Sequence, residues 1–291
     1  MSHGDEVIYL DVGGLQRRYV LHLPPREEMN AKIPVVVMLD GRGGTPWTAM
    51  KITGWSGLAD REGFAVAYPE ALRLNPHGPQ HFLDNPQMWN AGRGGSDIER
   101  PDVDDHRFLN AVFDDLASRS TLDASRFFMS GFSNGAAMTF AFAAANPDRV
   151  VAIGVAGGYC RIDDAPLPQP VPAMYLFGAV DPLSPLHGGN VELPWGKVEK
   201  RPPVMDSATR WAKANGLDTR HPEISEDDGV TWTTFKGAHT RARLRVGIIH
   251  DLGHVWPGGH RLLPQALVGD TSNRVNATES FWKFFKEFSP A

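Results

Sequence analysis

The pentapeptide Gly131-Phe132-Ser133-Asn134-Gly135 has the form G-x-S-x-G. The pattern alone is common. Here it follows directly on an apolar strand-like run, 126–130, and opens an apolar helical stretch, 133–146, that stops before Pro147. A strand that turns so abruptly into a helix strains the backbone at the serine and leaves its hydroxyl exposed. Bulk on either side would clash, which explains the small residues at 131 and 135. The positive end of the helix dipole and its free N–H groups favour negative charge developing beside Ser133. The N–H of Asn134 is the expected oxyanion donor. The competing reading is an ordinary N-cap serine; the flanking glycines and the strand–turn–helix context favour a nucleophile.

A serine nucleophile needs a base to take its proton and an acid to orient that base. Asp181 follows the apolar run 172–178 within Gly178-Ala179-Val180-Asp181-Pro182, a composition suited to a sharp exposed loop. Asp163 and Asp164 are rivals after the preceding run, and a plain turn aspartate is the alternative for Asp181. His254 lies in Asp251-Leu252-Gly253-His254-Val255-Trp256-Pro257-Gly258-Gly259, just after the run 243–250. Between a strand end and glycines it can reach over the sheet edge to Ser133 and shuttle the proton. His250 is its nearest rival, read as a packed histidine within the strand.

The elements that must position these residues alternate. Runs 6–10 and 17–23 flank Gly13-Gly14 and predict a β-hairpin. Residues 33–39 (IPVVVML), 64–68, 126–130, 150–156 and 172–178 read as strands buried on both faces. Residues 230–235 and 243–250 add two more. Helical spacing marks 48–62, 104–119, 133–146, 204–215 and 277–288. Such alternation predicts a mostly parallel sheet covered on both faces, a three-layer α/β/α sandwich with an N-terminal antiparallel hairpin. We expect a single catalytic domain over 1–291, with 70–102 and 184–202 as a long loop and a flap over the sheet.

The chain has 291 residues and a formal net charge of −5. That balance, with Lys and Arg scattered, gives no footprint for nucleic acid or an anionic membrane surface. Its one cysteine, Cys160, cannot close an intramolecular disulfide. No leader-like or membrane-spanning run is evident. The expected compartment is the cytoplasm, with secretion after removal of a leader as the alternative. There is no H-E-x-x-H, no C-x-x-C and no dinucleotide fingerprint, so neither a metal nor a cofactor is expected.

Together, several ordered segments resemble the polyhydroxybutyrate depolymerase and feruloyl esterase group of α/β-hydrolases. They are Val36 to Gly44, Gly54 to Pro69, Met88-Trp89-Asn90, Val103-Asp104-Asp105, Gly131 to Met138, Pro147-Asp148-Arg149, Gly178 to Pro182, Gly253 to Gly259 and Asn276 to Glu279. The resemblance runs nearly end to end and implies an α/β-hydrolase fold with Ser133, Asp181 and His254 as the triad. It implies a second oxyanion N–H from the loop Asp40-Gly41-Arg42, at Arg42. That loop reads His-Gly-Cys or His-Gly-Gly in similar chains. Arg42 and Met88 stand at two usual cysteine positions, so a disulfide common in secreted relatives is not expected here.

The implied activity is a serine carboxylic-ester hydrolase acting on a small or oligomeric ester, feruloyl-like or hydroxyalkanoate. An acyltransferase on the same sheet and a non-catalytic ligand-binding homologue are the alternatives. Trp89, Trp256 and Trp47 lie in loops near the catalytic edge, where exposed aromatics stack on an acyl group or polymer repeat. Trp195 belongs to the flap. Arg42 is expected to pair with Asp40 or with a substrate carboxylate, the former being cheaper. Oligomeric state is not legible.

Overall fold

The computed structural model describes residues 4–25, 31–91, 103–238 and 240–289. The part of the expected long loop at 92–102 lies outside the described residues. In chain order the strands are β1 (Asp5–Val12), β2 (Leu15–His22), β3 (Ile33–Leu39), β4 (Ala65–Pro69), β5 (Leu122–Phe132), β6 (Ile153–Ala156), β7 (Ala173–Gly178), β8 (Gly189–Glu192), β9 (Val198–Arg201), β10 (Glu223–Asp227), β11 (Val230–Lys236) and β12 (Arg243–Ile249). The helices are α1 (Pro46–Thr53), α2 (Trp55–Glu62), α3 (Asp105–Ser118), α4 (Asn134–Ala145), α5 (Val204–Ala214), α6 (Gln265–Val268) and α7 (Ala277–Lys286).

One sheet of ten strands runs in the order β1-β2-β4-β3-β5-β6-β7-β12-β11-β10. Its six central strands, β4 to β12, are parallel, with antiparallel strands added at both edges. The β-branched run of β3 explains its central place: Val35, Val37 and Leu39 face one core while Val36 and Met38 face the other. Helices α3, α4 and α5 close the first core through Phe108, Phe140 and Trp211. Helices α1, α2 and α7 close the second through Ala49, Trp55 and Phe281. The three-layer α/β/α arrangement and its opening hairpin are those expected from the alternating pattern.

Three elements differ from expectation. The helix read over 48–62 is two helices. Gly54, at φ 69°, ends α1 and starts α2, a left-handed conformation that glycine adopts without a Cβ penalty. Strand β10, EISED, is exposed at every residue and carries no apolar alternation. Among the described residues it pairs only with β11, and its charge suits an edge strand. The flap at 184–202 is the separate hairpin β8–β9.

The order β4-β3-β5 reverses direction at β3, because the chain adds β4 on one side and β5 on the other. Crevices open at the carboxyl ends of strands where such a reversal occurs. The loop after β3 and the turn after β5 therefore meet there, since Leu39 is paired with Gly131. The loops after β7 and β12 open at the same edge. Among the described residues no helix is long and apolar enough to cross a membrane.

Candidate active site

Ser133 sits between the end of β5 and the start of α4, at φ 52° and ψ −117°. This is a strained conformation for a residue with a Cβ. Its N–H is held by the Ala156 carbonyl at 2.9 Å. Two glycines permit the turn. A Cβ at Gly131 would lie 2.4 Å from Thr139 Oγ1, and one at Gly135 would lie 2.2 Å from the Leu39 carbonyl oxygen. Helix α4 can press on the sheet only because both positions lack a side chain.

The structure brings Ser133, His254 and Asp181 together. Ser133 Oγ lies 2.8 Å from His254 Nε2, and His254 Nδ1 lies 2.7 Å from Asp181 Oδ2. The other carboxylate oxygen of Asp181 accepts the N–H groups of Leu183 and Ser184, each at 2.8 Å. Those two bonds hold the carboxylate in a fixed orientation in a buried loop. The histidine ring is braced by Phe132, 5.2 Å away between centroids.

The rivals stand elsewhere. Asp164 pairs with Arg210, and Asp163 is exposed. His250 is not packed within a strand as expected. It is exposed at the turn after β12, 2.9 Å from Thr231 Oγ1.

The loop Asp40 to Gly44 lies against the serine, so that a Cβ at Gly41 would be 3.1 Å from Ser133 Cβ. The N–H groups of Gly41 and Gly44 bond within the loop, to the Asp40 side chain and the Gly41 carbonyl, and the Gly43 N–H donates to the Gln87 carbonyl at 2.8 Å. Among the described residues, the N–H groups of Arg42 and Asn134 have no hydrogen-bond partner. Both remain available to an incoming oxyanion.

Trp89 is the residue whose role the sequence misassigned. It is only 2% exposed and stacks on Phe108, out of reach of a substrate. Its indole N–H donates to the Asp40 carbonyl at 3.0 Å. Its own backbone N–H and carbonyl bond the Asn134 side chain at 2.7 and 3.2 Å. Trp89 thus ties the loop of Arg42 to the helix start of Asn134. The bulky indole next to an asparagine in Met88-Trp89-Asn90 was the available signal, but its direction was not.

Two further tryptophan expectations are corrected. Trp256 borders the cleft beside His254 but is only 1% exposed, because its N–H is drawn to Thr278 Oγ1 at 3.1 Å and its ring packs against Phe132. Trp47 is 41% exposed but lies in α1, outside the lining of the cleft. Trp195, on the flap, lines the cleft at Ser133.

Arg42 does not pair with Asp40. Its guanidinium reaches Met88 Sδ and the Leu83 carbonyl, both at 2.9 Å, and lies 4.1 Å over the Trp195 ring. The two positions that usually hold cysteines in similar chains are thus neighbours bridged by an N–H···S contact. Burial pulls the Arg42 pKa down to about 10. Cys160 is buried with a free thiol.

Asp40 turns away because its carboxylate is already used by Gly41 N–H at 2.8 Å and Thr48 Oγ1 at 2.5 Å. Burial pushes its pKa up to about 6, outweighing those hydrogen bonds. The folded chain therefore holds this proton more tightly than the unfolded chain does. The resulting stability is fully present below pH about 4 and is lost as pH rises through about 6. Urea unfolding should show Asp40→Asn gaining about 3 kcal/mol relative to the parent between pH about 4 and about 7. A difference constant across that window would contradict this account.

The cleft has two arms that meet at Ser133. One, of about 210 Å³, is apolar, walled by Phe82, Phe132, Leu262, Leu263 and Val268. The other, of about 270 Å³, is mixed, with Leu74, Leu83, Met88 and Ala137 beside Tyr159, Arg161, Lys197, Glu199 and Arg201. Among the described residues no group of three or more His, Cys, Asp or Glu could hold a metal ion.

Residues 17–165, just over half of the chain, match the family described as Esterase PHB depolymerase. That stretch contains Ser133 and Arg42; Asp181 and His254 lie beyond it. The chain is 27% identical over 285 residues to NocK of Nocardia uniformis subsp. tsuyamanensis, whose name assigns it as an esterase. That match covers 92% of this chain and 79% of the relative. It is 25% identical over 234 residues to feruloyl esterase C of Emericella nidulans, covering 79% of each. The solved acetyl xylan esterase from Aspergillus awamori superposes with a TM-score of 0.58 at 15% identity, over 86% of this chain and 94% of that one. With an α/β-hydrolase sheet and a G-x-S-x-G turn inside the matched stretch, the chain belongs to the PHB-depolymerase family of esterases and is a carboxylic-ester hydrolase.

Proposed function

We infer that the chain hydrolyses small, soluble esters through a covalent acyl-enzyme on Ser133. The observation that carries this reading is the continuous relay from Ser133 Oγ through His254 to Asp181, at 2.8 and 2.7 Å. His254 Nε2 takes the hydroxyl proton as Oγ bonds to the ester carbonyl carbon. The carbonyl oxygen becomes an oxyanion facing the N–H groups of Arg42 and Asn134. Asp181 stabilises the imidazolium, which then protonates the departing alkoxide as the ester C–O bond breaks. Water, activated by His254, attacks the acyl-enzyme and releases the acid.

The apolar arm supports a short aliphatic or aromatic acid such as a feruloyl group, or one repeat of a hydroxyalkanoate oligomer. A fluorophosphonate probe is expected to form one adduct per chain, on Ser133, with p-nitrophenyl butyrate turnover lost in proportion. Full turnover after complete labelling, or an adduct elsewhere, would remove the reading.

A further inference from the structure

Among the described residues the two arms of the cleft share Arg42, Ser133, Leu183, Trp195 and His254. Ser133 and His254 are the reacting pair. Arg42 and Trp195 touch one another, the guanidinium lying 4.1 Å over the indole ring. They come from opposite sides of the crevice. Arg42 follows β3, and Trp195 stands at the tip of the hairpin β8–β9, which follows β7. In the sheet β5 and β6 separate β3 from β7, so three inter-strand spacings, roughly 14 Å, lie between them. The two side chains meet across that gap, beside Ser133.

Both halves of this bridge are held in place. Arg42 donates to Met88 Sδ and to the Leu83 carbonyl, which fixes its guanidinium. A cation so placed is attracted to the face of an aromatic ring. Trp195 is positioned by its turn. The Leu193 N–H donates to the Lys197 carbonyl at 2.8 Å and the Gly196 N–H to the Leu193 carbonyl at 2.9 Å, with Gly196 at φ 79°. These are the bonds of a tight three-residue hairpin loop closed by a left-handed glycine, and Pro194 restricts its first position. Leu193, only 2% exposed, anchors the turn. The indole is thus held by its turn from below and by Arg42 across its face.

We propose that Trp195 is a specificity-determining residue that partitions the cleft at Ser133, so that the preferred esters are those whose acid is unbranched beside the carbonyl. The proposal rests on the serine-esterase reading above. An ester carbonyl carries two groups, the acyl chain and the alcohol, and the cleft offers one arm to each. An acid branched at its α-carbon brings a third group to the junction, where the Arg42–Trp195 bridge stands. One branch must then press on the indole, which moves the carbonyl carbon away from the attack position on Ser133 Oγ. Isomeric acids of nearly equal apolar surface are separated by such a wall, whereas an apolar lining alone would hardly distinguish them.

The test compares kcat/KM for two isomers, 4-nitrophenyl hexanoate and 4-nitrophenyl 2-ethylbutanoate, divided by the ratio of their hydroxide-catalysed rates. In the unaltered protein this corrected ratio is expected to favour the linear ester roughly tenfold or more. In Trp195→Ala it should fall towards one, chiefly because the branched ester is turned over faster. Trp195→Phe keeps a ring at the tip and should retain most of the preference. A tryptophan that only stabilised the flap would, on removal, slow both isomers alike and leave the ratio unchanged. Trp195→Leu should give an intermediate ratio, so the comparison stands even if the alanine variant does not fold. No preference in the unaltered protein, or a parental ratio in the alanine or the leucine variant, overturns the partition. If neither isomer is turned over and Ser133 takes no fluorophosphonate adduct, the esterase reading itself has failed and the partition goes with it.

Discussion

Replacing Ser133 by alanine is expected to lower kcat for p-nitrophenyl butyrate by about 10⁶-fold, the scale seen when a triad nucleophile is removed. Ser133 Oγ is the group 2.8 Å from His254 Nε2, and among the described residues no other hydroxyl bonds that nitrogen. The residual rate would come from the Arg42 and Asn134 N–H groups and from binding alone. The strain at this position offers a second readout. At φ 52° and ψ −117° any Cβ is unfavourable, and holding such a conformation costs about 1–3 kcal/mol. Ser133→Ala should leave stability nearly unchanged, whereas Ser133→Gly should raise it by about 1–2 kcal/mol while being equally inactive. An alanine variant that retains parental turnover would place the nucleophile elsewhere. A glycine variant less stable than the alanine one would refute the strain.

Asp181→Asn is expected to lower kcat by about 10⁴-fold with little effect on folding. The reason lies in which oxygen does what. Oδ1 accepts two backbone N–H groups, from Leu183 and Ser184, and Oδ2 faces His254 Nδ1. An asparagine amide must leave its oxygen where the two N–H donors point. Its NH₂ then faces Nδ1, which is forced to accept. The imidazole proton moves to Nε2, opposite Ser133, and the ring can no longer take the serine proton. Both acylation and deacylation should slow, since both pass through the same nitrogen. Because the loop bonds survive, the melting temperature should change by only a few degrees. Parental kcat in this variant would mean that His254 is oriented by something other than Asp181.

These expectations differ in how far the sequence alone reaches. The Ser133 turn was legible because its signals are local. Strand, glycines, serine and helix lie within a few residues, and the steric need for Gly131 and Gly135 follows from the turn. Asp181 and His254 were reachable through chain order and loop composition, because each follows a strand of the same parallel sheet. The β-branched runs of β3, β5 and β7 announced a sheet buried on both faces, and hence the two-sided core. Strand β10 was not legible, since an exposed edge strand needs no apolar alternation. The break at Gly54 was read through, since its flanks share one helical spacing.

What only the tertiary structure decided is the lining of the cleft. Trp89 and Trp256 read as exposed aromatics in catalytic loops, yet each is buried by a contact distant in the chain. Trp89 is fixed by Asp40 and Asn134, and Trp256 by Thr278 and Phe132. Arg42 was paired on paper with its sequence neighbour Asp40. Folding instead sends it to Met88, Leu83 and Trp195, because Thr48 and the Gly41 N–H have already taken the carboxylate. Local sterics and hydrophobic period are written within a short window of residues, so the sequence by itself determined the nucleophile turn and the layered sheet. A side chain's direction in a loop depends on partners tens of residues away that leave no period behind, and only the folded chain decided which groups face Ser133.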